Sequence, residues 1–169
     1  EACLVGSEMC IRDSPYSDQL SLLPSYLQQL VMESNGKSVN SFNENISNSP
    51  CSFIFGEVGT DAQHSFFQAL HQSTLSFTGD LICFSNNLNS EFCIFDDYDK
   101  SNSKDLQNFA ISQYLAFKNG SDKTIESDHQ HVKGSKPVDL FMFNELNEYT
   151  LGQLPVSYTH LRAHETRFY

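Results

Sequence analysis

CSFIFGEVGTDAQH, from Cys51 to His64, reads as a buried strand that passes through a tight glycine turn into a helix. Cys51 to Phe55 is a short apolar run, Gly56 to Gly59 supplies the turn, and the helix opens at Thr60. Thr60 and Gln63 have the spacing of a capping box, in which side chains satisfy the free N–H groups of the first turn. His64 then falls in that first turn, beside backbone N–H dipoles, a seat suited to proton transfer. A strand feeding a helix through glycines is the repeating unit of a parallel α/β sheet.

The alternation continues on both sides. Upstream, Leu22, Leu23, Tyr26, Leu27, Leu30 and Val31 recur at helical spacing, which predicts a helix over Leu22 to Ser34 with Gly36 as its stop. Asn40 to Pro50 is rich in Asn and Ser and reads as a loop. Downstream, Phe66, Phe67 and Leu70 give the next helix its core face, and Asp80 to Phe84 reads as a second strand. Lys104 to Phe117 is an amphipathic helix closed by Gly120, Lys118 to Lys136 is polar and irregular, and Val138 to Phe143 is a third strand. A last helix starts near Tyr149. These elements predict an α/β fold with a partial, doubly wound, mostly parallel sheet. Ligands of such sheets gather at strand ends and adjoining helix N-termini, where Gly56 to His64 lies.

A second candidate seat lies in YLQQLVMESNGK, Tyr26 to Lys37. On a helix, Gln29 and Glu33 share one face four residues apart, so an amide can hold a substrate beside a carboxylate that takes its proton. Spacing alone would make Glu33 a solvated carboxylate near a helix end and His64 a surface or capping histidine. The surrounding motifs distinguish them.

Those motifs, YLQQLVMESNGKS followed by FGEVGTDAQHSFFQALHQST, resemble in order and content a pair of segments in the glucose-6-phosphate isomerase family. That family shows YLQQ, an acidic residue and MESNGK, then WGEPGTNGQH and an aromatic-QLIHQGT run. Weaker agreement continues through LQNFAISQYLAFKNG and EYTLGQL, so the likeness runs from about Pro15 to Leu154. The resemblance implies part of the second subdomain of the sugar-isomerase fold, interconversion of glucose 6-phosphate and fructose 6-phosphate through a cis-enediol, and no cofactor or metal. Glu33 matches the family's base, Gln29 a substrate-contacting glutamine, and His64 the histidine that assists ring opening from a neighbouring subunit. A sugar-phosphate substrate, a homodimer for the full-length protein and a cytoplasmic location are implied. The family's phosphate-holding Ser/Thr loop and arginine lie upstream and its lysine downstream, so the chain alone is expected to be inactive. Val31, Phe55, Val58 and Asp61-Ala62 depart from the pattern without altering its reactive residue types. A non-catalytic sugar-phosphate-binding module of the same fold is the alternative, and a remnant with no cellular product is a third reading.

The flanks read differently. If Ser157 to Glu165 is encoded by tct tat aca cat ctc cga gcc cac gag, the reverse complement translates as LVGSEMCIR, which is Leu4 to Arg12. Such an inverted repeat looks like a transposase adapter of sequencing libraries read on both strands. Residues 1–14 and 155–169 are therefore expected to be translated adapter and index sequence, with the isomerase-like domain at 15–154.

The formal net charge is −11, with no concentrated basic patch, which argues against nucleic acid or an anionic membrane as partner. No hydrophobic run is long enough to span a membrane. Between the flanks, Cys51, Cys83 and Cys93 have no metal-type spacing and fit buried thiols in a reducing compartment. His129 with His131 lacks a third ligand, Asp96, Asp97 and Asp99 lack the rest of a calcium loop, and His71 reads as structural. Asn45-Ile46-Ser47 and Asn119-Gly120-Ser121 are glycosylation patterns that matter only in a secreted protein.

Overall fold

The computed structural model describes residues 10–33, 36–39, 42–45, 53–74, 77–85, 100–121 and 131–165. Among these residues four parallel strands form one sheet: β1 (Cys10–Pro15), β2 (Ile54–Gly56), β3 (Phe77–Phe84) and β4 (Val138–Phe143), in the spatial order β2-β1-β3-β4. The register pairs Asp13 with Gly56 on one side of β1 and with Asp80 on the other, while Leu81 of β3 opposes Leu140 of β4. The chain builds β2 on one side of β1 and then returns to place β3 on the other, which makes the β1/β3 boundary the switch point of the sheet.

Side-chain alternation along β3 sends residues to two cores. Phe77, Leu81 and Cys83 join Ala62, Phe67, Leu70, Ala110 and Phe117 beneath α2 (Gly59–Ser65), α3 (Phe67–Gln72) and α4 (Lys100–Asn119). Ile82 joins Leu20, Leu23, Leu27, Val31, Ile54, Leu154 and Tyr158 beneath α1 (Leu23–Gln28) and α5 (Glu148–Glu165) on the opposite face. Helices thus cover both faces, the doubly wound α/β arrangement the sequence predicts.

Several boundaries differ from expectation. The upstream helix is α-helical only to Gln28 and then widens into a π-helical turn, Gln29–Glu33. Its buried stripe is Leu23, Leu27 and Val31, while Leu22 is 78% exposed and Tyr26 also faces solvent, because residues four apart share a face and Leu22 stands off it. The helix after Gly56 breaks at Phe66, whose φ of −117° interrupts the ladder and separates α2 from α3. The capping box at Thr60 is not made: Val58 is the N-cap, with no side-chain cap bond, and the Gln63 amide is engaged elsewhere. A reciprocal box forms instead at α5, where Asn147 Oδ1 accepts from the Thr150 N–H and Thr150 Oγ1 accepts from the Asn147 N–H, both at 2.9 Å. Gly120 ends α4 at φ 76°, and its Cα approaches the Val132 carbonyl so closely that a side chain has no room.

The strand β1 was not expected, since its residues fall mostly in the flank set aside above. Asp13 and Ser14 are both buried, and Tyr16 prolongs the ladder by donating its N–H to the Ile82 carbonyl at 2.7 Å. The expectations for Cys51, Cys93, Asp96, Asp97, Asp99 and His129 lie outside the described residues.

Candidate active site

The widened turn at the end of α1 carries the first group of candidates. Val31 anchors it in the core at 1% exposure, which leaves Gln29 and Glu33 on the solvent side. The Gln29 amide donates from Nε2 to Glu33 Oε2 at 3.3 Å. The pair expected from the sequence is therefore brought together, on a π turn rather than an α one. Such turns recur at functional sites because they push side chains outward from a packed helix. The hydrogen bond links the amide to the carboxylate while both side chains stay exposed to solvent.

His64 is elsewhere. It lies exposed on α2, which packs with α3 and α4 on the opposite face of the sheet from α1. It occupies the last turn of that helix, not the first, because α2 begins at Gly59 and ends at Ser65. The expected influence of N-terminal N–H dipoles on it therefore does not apply. Among the described residues, no hydrogen bond joins His64 to Gln29 or Glu33. One chain thus presents the carboxylate on one layer and the histidine on the other.

The second histidine of the region is half-buried and packed against the core, with its Nδ1 lacking a hydrogen-bond partner among the described residues. His71 stacks on Phe117, ring centroids 4.0 Å apart and 15° from parallel, and its Nε2 lies 2.9 Å from Gln113 Oε1. Burial lowers its pKa, the Gln113 bond opposes that, and the charge of Lys136 adds to the lowering. Cys83 is a free, buried thiol pushed up to about 11 by desolvation, unsuited to nucleophilic work. Among the described residues no three His, Cys, Asp or Glu side chains converge as a metal site would require. No described helix is long and apolar enough to cross a membrane.

Sequence reasoning missed three polar contacts between helices and the sheet region, made by two tyrosines. Tyr16, at the end of β1, accepts a hydrogen bond from Gln63 Nε2 at 2.8 Å, and Tyr158 of α5 reaches Asp13 Oδ1 at 2.9 Å and Asp80 Oδ2 at 3.1 Å. Their partners are far apart along the chain, so no local pattern announces them.

A sequence profile for the family described as phosphoglucose isomerase matches residues 8–166. The chain belongs to the phosphoglucose isomerase family. It is 36% identical over 162 residues to the glucose-6-phosphate isomerase of Psychrobacter cryohalolentis, with 86% of this chain and 28% of that protein covered. With the glucose-6-phosphate isomerase of Treponema denticola it shares 40% over 147 residues, 85% of this chain and 27% of the relative. The crystal structure of a glucose-6-phosphate isomerase from Chlamydia trachomatis superposes with a TM-score of 0.71 at 33% identity, covering 86% of this chain and 27% of that one. The chain therefore spans little more than a quarter of the length of these phosphoglucose isomerases, in keeping with a fragment of the enzyme.

Proposed function

We propose that this chain is the part of a glucose-6-phosphate isomerase that supplies the base, and that the complete enzyme interconverts glucose 6-phosphate and fructose 6-phosphate in the cytoplasm. The observation that carries the reading is the Gln29–Glu33 pair, a solvent-exposed carboxylate hydrogen-bonded to an amide on a widened turn. In the step it supports, Glu33 removes the proton from C2 of the open-chain aldose as the carbonyl oxygen O1 takes up a proton, giving a cis-enediol; the same carboxyl then returns its proton to C1 as the O2 hydroxyl releases its own, forming the ketose. Gln29 holds the base and contacts the sugar. No cofactor enters this proton transfer.

His64 is assigned to ring opening. Its position on the opposite layer from Glu33 supports a homodimer in which each site takes its base from one copy and its histidine from the other. The test is the complete isomerase carrying Glu33→Gln: turnover should fall by about 10² to 10⁴ with KM little changed, and undiminished turnover would overturn the assignment.

The flanks at 1–14 and 155–169 are proposed to be translated adapter, with 15–154 as the isomerase segment. Two local conflicts support this. A central parallel strand is usually a continuous apolar run, yet β1 buries Asp13 and Ser14, and Ser14 Oγ has no hydrogen-bond partner among the described residues. At the other junction Pro155 lies inside α5, where a proline costs about 3 kcal/mol. An outward DNA read from within Pro15 to Leu154, made without a transposase library, should leave this sequence at both junctions; a locus encoding the flanks would refute the proposal.

A further inference from the structure

We propose that Tyr16 and Gln63 form a positioning clamp that sets the orientation of His64 for ring opening; this rests on the isomerase reading above. Gln63 immediately precedes His64, on a helix of only seven residues that has no side-chain cap at its start and breaks at Phe66. So short a helix has little internal resistance to rotation or fraying, because nucleation is costly and the ladder is barely extended. Its placement must come from tertiary contacts, and Tyr16 supplies two.

The first is steric. The Tyr16 ring, 3% exposed, lies directly under Gly59, so that a Cβ added there would come within 2.4 Å of the ring. The second is polar: Gln63 Nε2 donates to Tyr16 Oη at 2.8 Å, fixing the helix's rotation one residue before His64. Tyr16 itself is held within the isomerase segment, since its backbone N–H donates to the Ile82 carbonyl of β3 and its ring belongs to the core with Ala62 and Cys83. Burial pushes its hydroxyl up to about 12, with the Gln63 bond opposing, so the hydroxyl keeps its proton. The contact thus references the helix bearing His64 to β3 through the Tyr16–Ile82 bond. Neither residue touches the reacting atoms in this scheme; they act through His64.

The test uses the complete isomerase carrying this segment, with Tyr16→Phe, Gln63→Leu and the double variant. Tyr16→Phe keeps the ring beneath Gly59 and removes only the hydroxyl. Each single variant should lower kcat about tenfold with KM for the sugar phosphate within about twofold, and the double should fall no further than either single, since both break one bond. Deuterium at C2 slows proton removal by Glu33 but not ring opening, so the isotope effect on kcat should shrink toward unity as ring opening becomes limiting. An unchanged or enlarged isotope effect, an unchanged kcat, or losses that multiply in the double variant would overturn the clamp. Should Tyr16→Phe fail to fold, Gln63→Leu, altered at a partly exposed position, decides the matter alone. Full turnover in Glu33→Gln would instead overturn the isomerase reading, whatever the clamp variants do.

Discussion

Asp80 Oδ2 accepts a hydrogen bond from the Tyr158 hydroxyl at 3.1 Å, while the same hydroxyl lies 2.9 Å from Asp13 Oδ1. A phenol has one proton and cannot donate to both carboxylates at once, so the cluster gains from holding a further proton. Desolvation pushes Asp80 up from 3.8 to about 6, the Tyr158 bond opposes, and the charge of Asp139 adds. In that interval the native state binds a proton that the unfolded chain has released, so this contribution is most favourable below the unfolded value and is lost as pH rises through about 6. Asp80→Asn keeps an acceptor for Tyr158 and removes the buried charge. In this chain it should raise stability near pH 7 by roughly 2 kcal/mol and change it little near pH 4. Urea melts at the two pH values check this, and a loss of stability near neutrality would contradict it.

Separation of Glu33 and His64 onto opposite layers predicts complementation between subunits. Glu33→Gln and His64→Leu versions of the complete isomerase should each be nearly inactive. Mixed and allowed to exchange subunits, they should recover about a quarter of wild-type turnover, because half the dimers are hybrids with one intact site of two. Activity that stays at the level of the separate variants would show that both residues act from one chain.

The chain by itself should show no isomerase turnover, since remaining members of a cooperative site rarely compensate for missing ones. Conversion of fructose 6-phosphate above buffer background, abolished by Glu33→Gln in this same chain, would prove otherwise.

Val58 stands where the related family places proline, and its φ of −51° and ψ of 133° already match a proline-compatible turn. Its carbonyl, rather than its N–H, makes the turn's bond, to the Ala62 amide at 2.9 Å. Val58→Pro should therefore stabilise the chain by about 0.4–1 kcal/mol through the unfolded state. Thermal melts read this directly, and a lower Tm would mean that the preceding Glu57 cannot accept the substitution.

Gly59→Ala should do the opposite. A methyl group there meets the Tyr16 ring, and overpacking of this kind costs about 1–3 kcal/mol. Adding Tyr16→Leu should make room, so that the double variant loses less than the sum of the two singles; strict additivity would show that the ring is not the obstacle.

Much of this arrangement was legible from local pattern, and the exceptions are physical. Val138 to Phe143 matches β4 because its apolar run is bounded on both sides by polar chain. β3 begins earlier than read, at Phe77, because Thr78 and Gly79 interrupt the apolar pattern although the backbone remains paired. The Gln29–Glu33 contact followed from spacing alone. The fate of Gln63 did not, because its partner Tyr16 is 47 residues away and outcompetes a local cap. Nor did the opposite placement of His64, since the face on which a crossover helix lands depends on strand order. The break at Phe66 carries no glycine or proline to signal it.

Among the described residues the sheet ends in β2 on one side and β4 on the other, and no further described strand pairs with either outer edge. Met142 on β4 and Phe53 beside β2 are about half exposed along those margins. Purified at high concentration, the chain is thus a template for intermolecular strand addition, and its handling properties will be governed by its borders rather than by its cores.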